Sequence, residues 1–229
     1  QALKKSPPDI LGLSHYSWNT RLNQVFLELA RRVNPRMKIF MGGPHVRTEP
    51  VELERFLRQH PGLDCYMPFE GEEPAAAFVG ELLSGNVDPH PPGCATLING
   101  EFYYSPVDYN KQPAEINRPS PYLTGWLDSF IKNPKMIPLL ESNRGCPFSC
   151  VYCSWGISGL CKLKLRKIED VVAEIQYIAE HSAGQVNWIF CDANFGIIER
   201  DLEIAKNIRE VMDRKGFPVE VVIWHSKNT

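Results

Sequence analysis

The strongest constraint on this chain is the repeated exchange of short apolar runs for segments with helical spacing. Asp9 to Ser14, DILGLS, reads as a buried strand, and Lys38 to Met41 and Leu63 to Met67 read as two more. Between them, Thr20 to Val33 spaces Leu22, Val25, Phe26, Leu29 and Ala30 as a helix does, and Pro50 to Gln59 opens with proline in a first turn. A further helix is expected over Pro74 to Leu83. Strands separated by helices must run parallel, and such sheets present their ligand loops at the carboxyl ends of the strands.

The alternation then breaks. Residues 85–125 hold Pro89, Pro91, Pro92, Pro106, Pro113, Pro119 and Pro121, too many for regular structure. Inside this stretch, Ala95 to Ile98 and Glu101 to Ser105 flank Asn99-Gly100, a pair that favours a type I′ turn, so a small hairpin is expected there. Alternation resumes with a strand over Met136 to Ser142, a helix over Ile168 to His181 and a strand over Gln185 to Cys191. A helix over Asp201 to Lys215, closed by Gly216 with Pro218 beyond it, leads to a last strand over Val219 to Trp224. The expected organisation is an α/β chain in three parts: a Rossmann-like parallel-sheet domain over 1–84, a proline-rich connector over 85–135 and part of a (β/α) barrel over 136–229. Three strands cannot close a barrel. The lack of an initiator methionine also makes the chain read as a piece of something longer.

The chain has seven cysteines, and Cys146, Cys150 and Cys153 lie in the spacing C-x3-C-x2-C. An odd count with tight clustering argues against a disulfide framework and for metal ligation in a reducing cytoplasm. Three thiolates on one short loop can each take one iron of a cubane cluster, leaving the fourth iron open. Two other readings stay open at this level. Zinc could use the triad with Cys161, although zinc sites usually pair two short arms and only one is present. A ferredoxin-type site with Cys161 would lack the expected C-x3-C-P ending. Cys65, Cys94, Cys161 and Cys191 each also read as buried small residues, and the run Lys162, Lys164, Arg166, Lys167 as a solvated face.

The loop Cys146-Pro147-Phe148-Ser149-Cys150-Val151-Tyr152-Cys153, entered from a strand through Asn143-Arg144-Gly145, resembles the radical SAM superfamily. That resemblance implies a [4Fe–4S] cluster on the three cysteines, with the amino and carboxylate groups of S-adenosylmethionine on the open iron. It also implies that Tyr152, the aromatic residue before the last cysteine, lies along the adenine. Asp192, Ala193 and Asn194, just after the next strand, would approach the methionine end, although the family's common Gly-Gly-Glu is absent there.

The first half is similar to the cobalamin-binding domain that precedes the radical SAM domain in many such enzymes. Three loops carry the likeness: Ser14 with His15-Tyr16-Ser17-Trp18, Met41-Gly42-Gly43-Pro44-His45, and Phe69-Glu70-Gly71-Glu72-Glu73-Pro74. Arg118 to Leu123 looks like that family's connector. The implied cobalamin site is lined by Ser14, Gly42, Gly43, Glu70 and Gly71, where glycines let backbone approach a bulky ligand. No D-x-H-x-x-G cobalt-ligand motif occurs in the residues present, and His15 and His45 are candidates by location alone.

The resemblance implies a cobalamin-dependent radical SAM enzyme that forms a 5′-deoxyadenosyl radical and transfers a methyl group to an unactivated carbon. The alternatives are a methylthiotransferase, a radical cyclase or oxidase, and a non-enzymatic zinc-stabilised or cobalamin-carrier module. The methylthiotransferase reading lacks a second cysteine triad, because only Cys65 and Cys94 precede Cys146. The expected partners are a small-molecule or peptide substrate and an electron donor such as flavodoxin or ferredoxin. A net charge of -2 gives no sign of a nucleic-acid surface, and no run is long enough to span a membrane. No catalytic side chain stands out.

Overall fold

A computed structural model describes residues 1–45, 48–108, 111–148, 150–153 and 162–225. Cys161, weighed above as a fourth ligand, and Ser149 within the cysteine loop lie outside them. The chain divides into two compact units, Gln1–Val107 and Asp108–Thr229.

The first unit contains α1 (Ala2–Lys5), β1 (Ile10–Ser14), α2 (Thr20–Val33), β2 (Lys38–Gly42), α3 (Pro50–Gln59), β3 (Cys65–Met67), α4 (Glu72–Leu83), β4 (Ala95–Ile98) and β5 (Glu101–Tyr104). Its sheet runs β1-β2-β3-β4-β5. The first three strands are parallel, as the alternation requires. Ser14 is level with Gly42, and Gly42 with Met67, so these strands end at one height and deliver their loops to one rim. The expected hairpin is present, with Asn99 at φ 50 and Gly100 at φ 84, and β4 adds antiparallel to β3. The stretch 85–135, read as a connector, is thus shared: its hairpin extends the first sheet, and its residues from Asp108 onward belong to the second unit.

Leu27, Ala30, Met37, Ile39, Met41, Leu53, Leu57, Leu63 and Tyr66 form most of the core of this unit. The buried stripe of α2 is Asn23, Leu27 and Ala30. Leu22, Val25 and Phe26, expected on that stripe, are exposed, because the helix is turned to place Asn23 under the rim. At the opposite end Arg31 donates to the carbonyls of Gly62 and Met37, at 2.8 and 2.6 Å, and pairs with Asp64. Helix α4 starts two residues before Pro74, since proline is tolerated in a first turn, where amide protons have no helical acceptor.

The second unit contains β6 (Glu115–Ile116), α5 (Asp128–Ile131), β7 (Leu139–Leu140), β8 (Asn143–Arg144), β9 (Lys164–Arg166), α6 (Ile168–His181), β10 (Asn187–Phe190), α7 (Arg200–Lys215) and β11 (Glu220–Val222). Strands β7, β10 and β11 form a parallel sheet in the order β11-β10-β7. Helices α6 and α7 cover it through Val171, Ile175, Ile178, Ile204, Ile208 and Val211, around the buried Trp188 and Phe190. Strand β7 is shorter than expected because Pro138 cannot donate to a ladder, and because Asn143–Arg144 leaves to pair antiparallel with β9. The basic run is a solvated face only at Lys167, which is exposed: Lys164 is buried and donates to Gln112 Oε1, and Arg166 pairs with the buried Glu174 at 2.7 Å.

Candidate functional site

The cysteine loop leaves the carboxyl end of β7. Ser142, four residues before the first cysteine, is tied on every side. Its carbonyl accepts from the Arg166 amide at 3.0 Å and from Arg200 Nη2 at 2.8 Å. Its amide donates to Asp192 Oδ1 at 2.7 Å, and its hydroxyl donates to Asp192 Oδ2. Asp192 also accepts from the Asn143 amide at 3.2 Å and from Asn143 Nδ2 at 2.9 Å. The carboxylate is 1% exposed, and its burial pushes its pKa upward although the bonds from Ser142 and Asn143 pull it down. Gly145, at φ 92, then turns the chain into Cys146, a backbone state that suits a residue without a β-carbon.

Cys146 is buried, whereas Cys150 and Cys153 are half-buried, and all three are free thiols. Asn194 Nδ2 donates to Cys146 Sγ at 3.0 Å, and Asn194 is itself buried. Asp192 and Asn194, expected to approach a cofactor, make their described side-chain bonds to the entry of the cysteine loop and to its first cysteine, respectively. Tyr152 stands 87% exposed next to Cys153. Cys191, read as a buried small residue, is exposed at the end of β10, where its strand stops.

Among the described residues no three His, Cys, Asp or Glu side chains converge as they would on a single metal ion. A cubane makes a different demand, since each thiolate takes its own iron and the sulfurs sit at separate corners of the cluster and not around one ion. Three free thiols, one of them buried with an amide donor on its sulfur, fit that group.

In the first unit Ser14 and Gly42 lie side by side in the sheet, and the loop holding Glu70 and Gly71 follows β3 at the same rim. Asn19 and Asn23 donate to the Ser14 carbonyl at 2.9 and 2.6 Å, closing the first loop onto α2. A β-carbon on Gly71 would meet no atom within 4 Å, whereas one on Gly42 would stand 3.0 Å from the Met67 carbonyl oxygen.

His15 is 1% exposed, with Nδ1 3.2 Å from the Tyr66 hydroxyl and Nε2 3.4 Å from Thr20 Oγ1. The Tyr66 hydroxyl donates to the Gly43 carbonyl at 2.8 Å. His15 therefore braces the first loop against the second, with its ring inside the protein. Its pKa is lowered to about 4, first by burial and then by His45 and His60 nearby. The ring of His45 meets that of His15 edge-on at 4.9 Å. Sequence reasoning found these loops but not the brace, because only the fold brings Tyr66 to His15.

Residues 1–79 match the family model of the B12 binding domain. Over 97% of its length the chain is 35% identical to the 2-(S-pantetheinyl)-carbapenam-3-carboxylate methyltransferase of Streptantibioticus cattleyicolor. It has the same identity and coverage with the cobalamin-dependent radical SAM methyltransferase TokK of Streptomyces tokunonensis. The chain spans 33% of the length of each of these relatives. Its fold matches the structure of the radical S-adenosylmethionine methyltransferase TsrM from Kitasatospora setae, solved with tryptophan substrate and a SAM analogue bound. That match has a TM-score of 0.64 at 14% identity and covers 94% of this chain and 42% of that one. Among the described residues no helix is long and apolar enough to cross a membrane.

Proposed function

We propose that this chain, which belongs to the radical SAM enzymes that carry a cobalamin-binding domain, is part of a cobalamin-dependent methyltransferase acting on a small molecule or peptide. The observation that carries this reading is the free triad Cys146, Cys150 and Cys153 at the carboxyl end of a parallel strand, in a chain whose first 79 residues match a B12 binding domain. The methyltransferase names of its curated relatives support methyl transfer over the cyclase, oxidase and methylthiotransferase readings, and over the zinc-stabilised or cobalamin-carrier module.

The three thiolates would hold a [4Fe–4S] cluster. When bound, the cluster with S-adenosylmethionine supplies a 5′-deoxyadenosyl radical, and cobalamin supplies the methyl group. The chain's own residues position and shield. Asp192, through Ser142 and Asn143, holds the entry to the cysteine loop in one place. Burial of Cys146 keeps water from one face of the ligand set. Tyr152, exposed beside Cys153 with its hydroxyl against Cys150, would lie along an adenine. Ser14, Gly42, Gly43, Glu70 and Gly71 would line the cobalamin site at the rim of the first sheet. An external one-electron donor such as flavodoxin or ferredoxin would complete the system.

The test is anaerobic reconstitution of the full-length protein, followed by iron and sulfide analysis, the absorbance spectrum after desalting, and mass spectrometry of product. Iron and sulfide with retained cobalamin, 5′-deoxyadenosine release and a methylated product are expected. Zinc alone, or cobalamin without iron, would overturn the reading.

A further inference from the structure

We propose that Asn194 is a hydrogen-bond donor to the sulfur of Cys146 that raises the cluster's reduction potential, and is not a contact to S-adenosylmethionine. This rests on the reading of Cys146 as a cluster ligand. A ligating thiolate has no proton to give, so a polar side chain beside it must donate. The amide nitrogen of Asn194 does so at 3.0 Å.

The donor is held in place from both sides. Two residues earlier, Asp192 is fixed by its bonds from Ser142 and Asn143. The next residue, Phe195, donates its amide to the Trp224 carbonyl at 2.7 Å, which fastens the loop to the end of β11. Between these anchors the Asn194 side chain has little freedom to leave the sulfur.

Asn194 and Cys146 are 7% and 8% exposed. With water largely excluded, a fixed dipole acts on the sulfur at low dielectric and counts for more than it would in solvent. Hydrogen bonds to cluster sulfurs are among the factors that set an iron–sulfur potential. Adding one electron to a [4Fe–4S]2+ cluster adds one negative charge with no proton. An N–H dipole aimed at the sulfur favours that more negative state, so the potential rises.

The experiment is an EPR-monitored redox titration of the full-length protein, without S-adenosylmethionine, comparing wild type with Asn194→Leu, which keeps the bulk and removes the donor. The expected result is unchanged iron and sulfide content with a more negative midpoint. Asn194→Gln, which restores a donor on a longer arm, should recover part of the shift. A loaded Asn194→Leu protein with the wild-type midpoint and weakened S-adenosylmethionine binding would overturn the proposal and return Asn194 to the cofactor. Should Asn194→Leu fail to hold a cluster, wild-type protein labelled with 15N-asparagine decides: a 15N hyperfine coupling to the reduced cluster supports the bond, and its absence overturns it. Wild-type protein that takes up no iron would instead sink the cluster reading itself.

Discussion

The carbonyl oxygen of His15 occupies the place where a β-carbon on Gly43 would have to stand, only 2.3 Å away. Gly43 also sits at φ +144, a backbone conformation that L side chains rarely adopt. The missing side chain at Gly43 is therefore accounted for by the protein's own first loop. Gly43→Ala should destabilise the first unit by about 1–3 kcal/mol, the usual cost of such backbone strain. Urea unfolding followed by circular dichroism would measure it, and an unchanged midpoint would show that the two loops are not packed as described.

Asp192 supplies the acceptor for two backbone amides and two side-chain donors of Ser142 and Asn143, all buried. Asp192→Ala would leave those donors without an acceptor in a site that water does not reach. A loss of about 3 kcal/mol is expected, together with a lower yield of reconstituted cluster. Asp192→Asn keeps one acceptor oxygen and should lie between wild type and alanine. Equal stability of all three proteins would remove Asp192 from this role.

The sequence made the parallel strands β1, β2 and β3 legible because each is a short apolar run bounded by turn residues. The β4–β5 hairpin was legible because Asn99-Gly100 takes the left-handed conformations that a tight turn demands. What lay hidden depends on partners far along the chain. That β4 would pair with β3 does not follow from either run alone. Lys164 and Arg166 read as solvated because charge usually is, yet Gln112 and Glu174 receive them inside the second unit. The cysteine triad was plain in its spacing, but the roles of Asp192 and Asn194 required knowing that the end of β10 lies against the entry to the cysteine loop.

His15 gives the first unit a pH dependence with a definite sign. Its pKa is lowered from 6.5 to about 4 in the folded chain, so between these values the unfolded chain binds the proton more readily. The contribution of the neutral ring is complete above about pH 6.5 and is lost as pH falls toward 4. The slope from one such proton is at most about 1.4 kcal/mol per pH unit. His15→Gln should flatten the fall of unfolding free energy between pH 6.5 and 4.5 relative to wild type. Parallel curves for the two proteins would mean that His15 is not the group responsible.

The cysteines themselves allow a sharp comparison. Alanine at Cys146, Cys150 or Cys153 should each abolish the visible absorbance of the reconstituted protein and the cleavage of S-adenosylmethionine, because a cubane on two protein thiolates loses a required ligand. Cys161→Ala should keep both. If Cys161→Ala lost iron while one of the triad variants kept it, the ligand set would need to be redrawn.

The cobalamin site is best probed at Gly71, since a substitution at Gly43 would disturb the fold and the cofactor together. A side chain at Gly71 meets no protein atom within 4 Å. Its φ of -94 suits any residue, although it stands at the N-cap of α4, where leucine caps less well than glycine at a cost of about 1 kcal/mol. Gly71→Leu should therefore still fold, with a modest loss of stability. Its loop follows β3 at the rim where β1 and β2 also end, so the leucine would project into space that the proposed corrin needs. The full-length variant should keep its iron and sulfide but emerge from desalting without the cobalamin absorbance of wild type. If Gly71→Leu retains cobalamin in full, the third loop does not line the site, and the cofactor must be held by the first two loops alone.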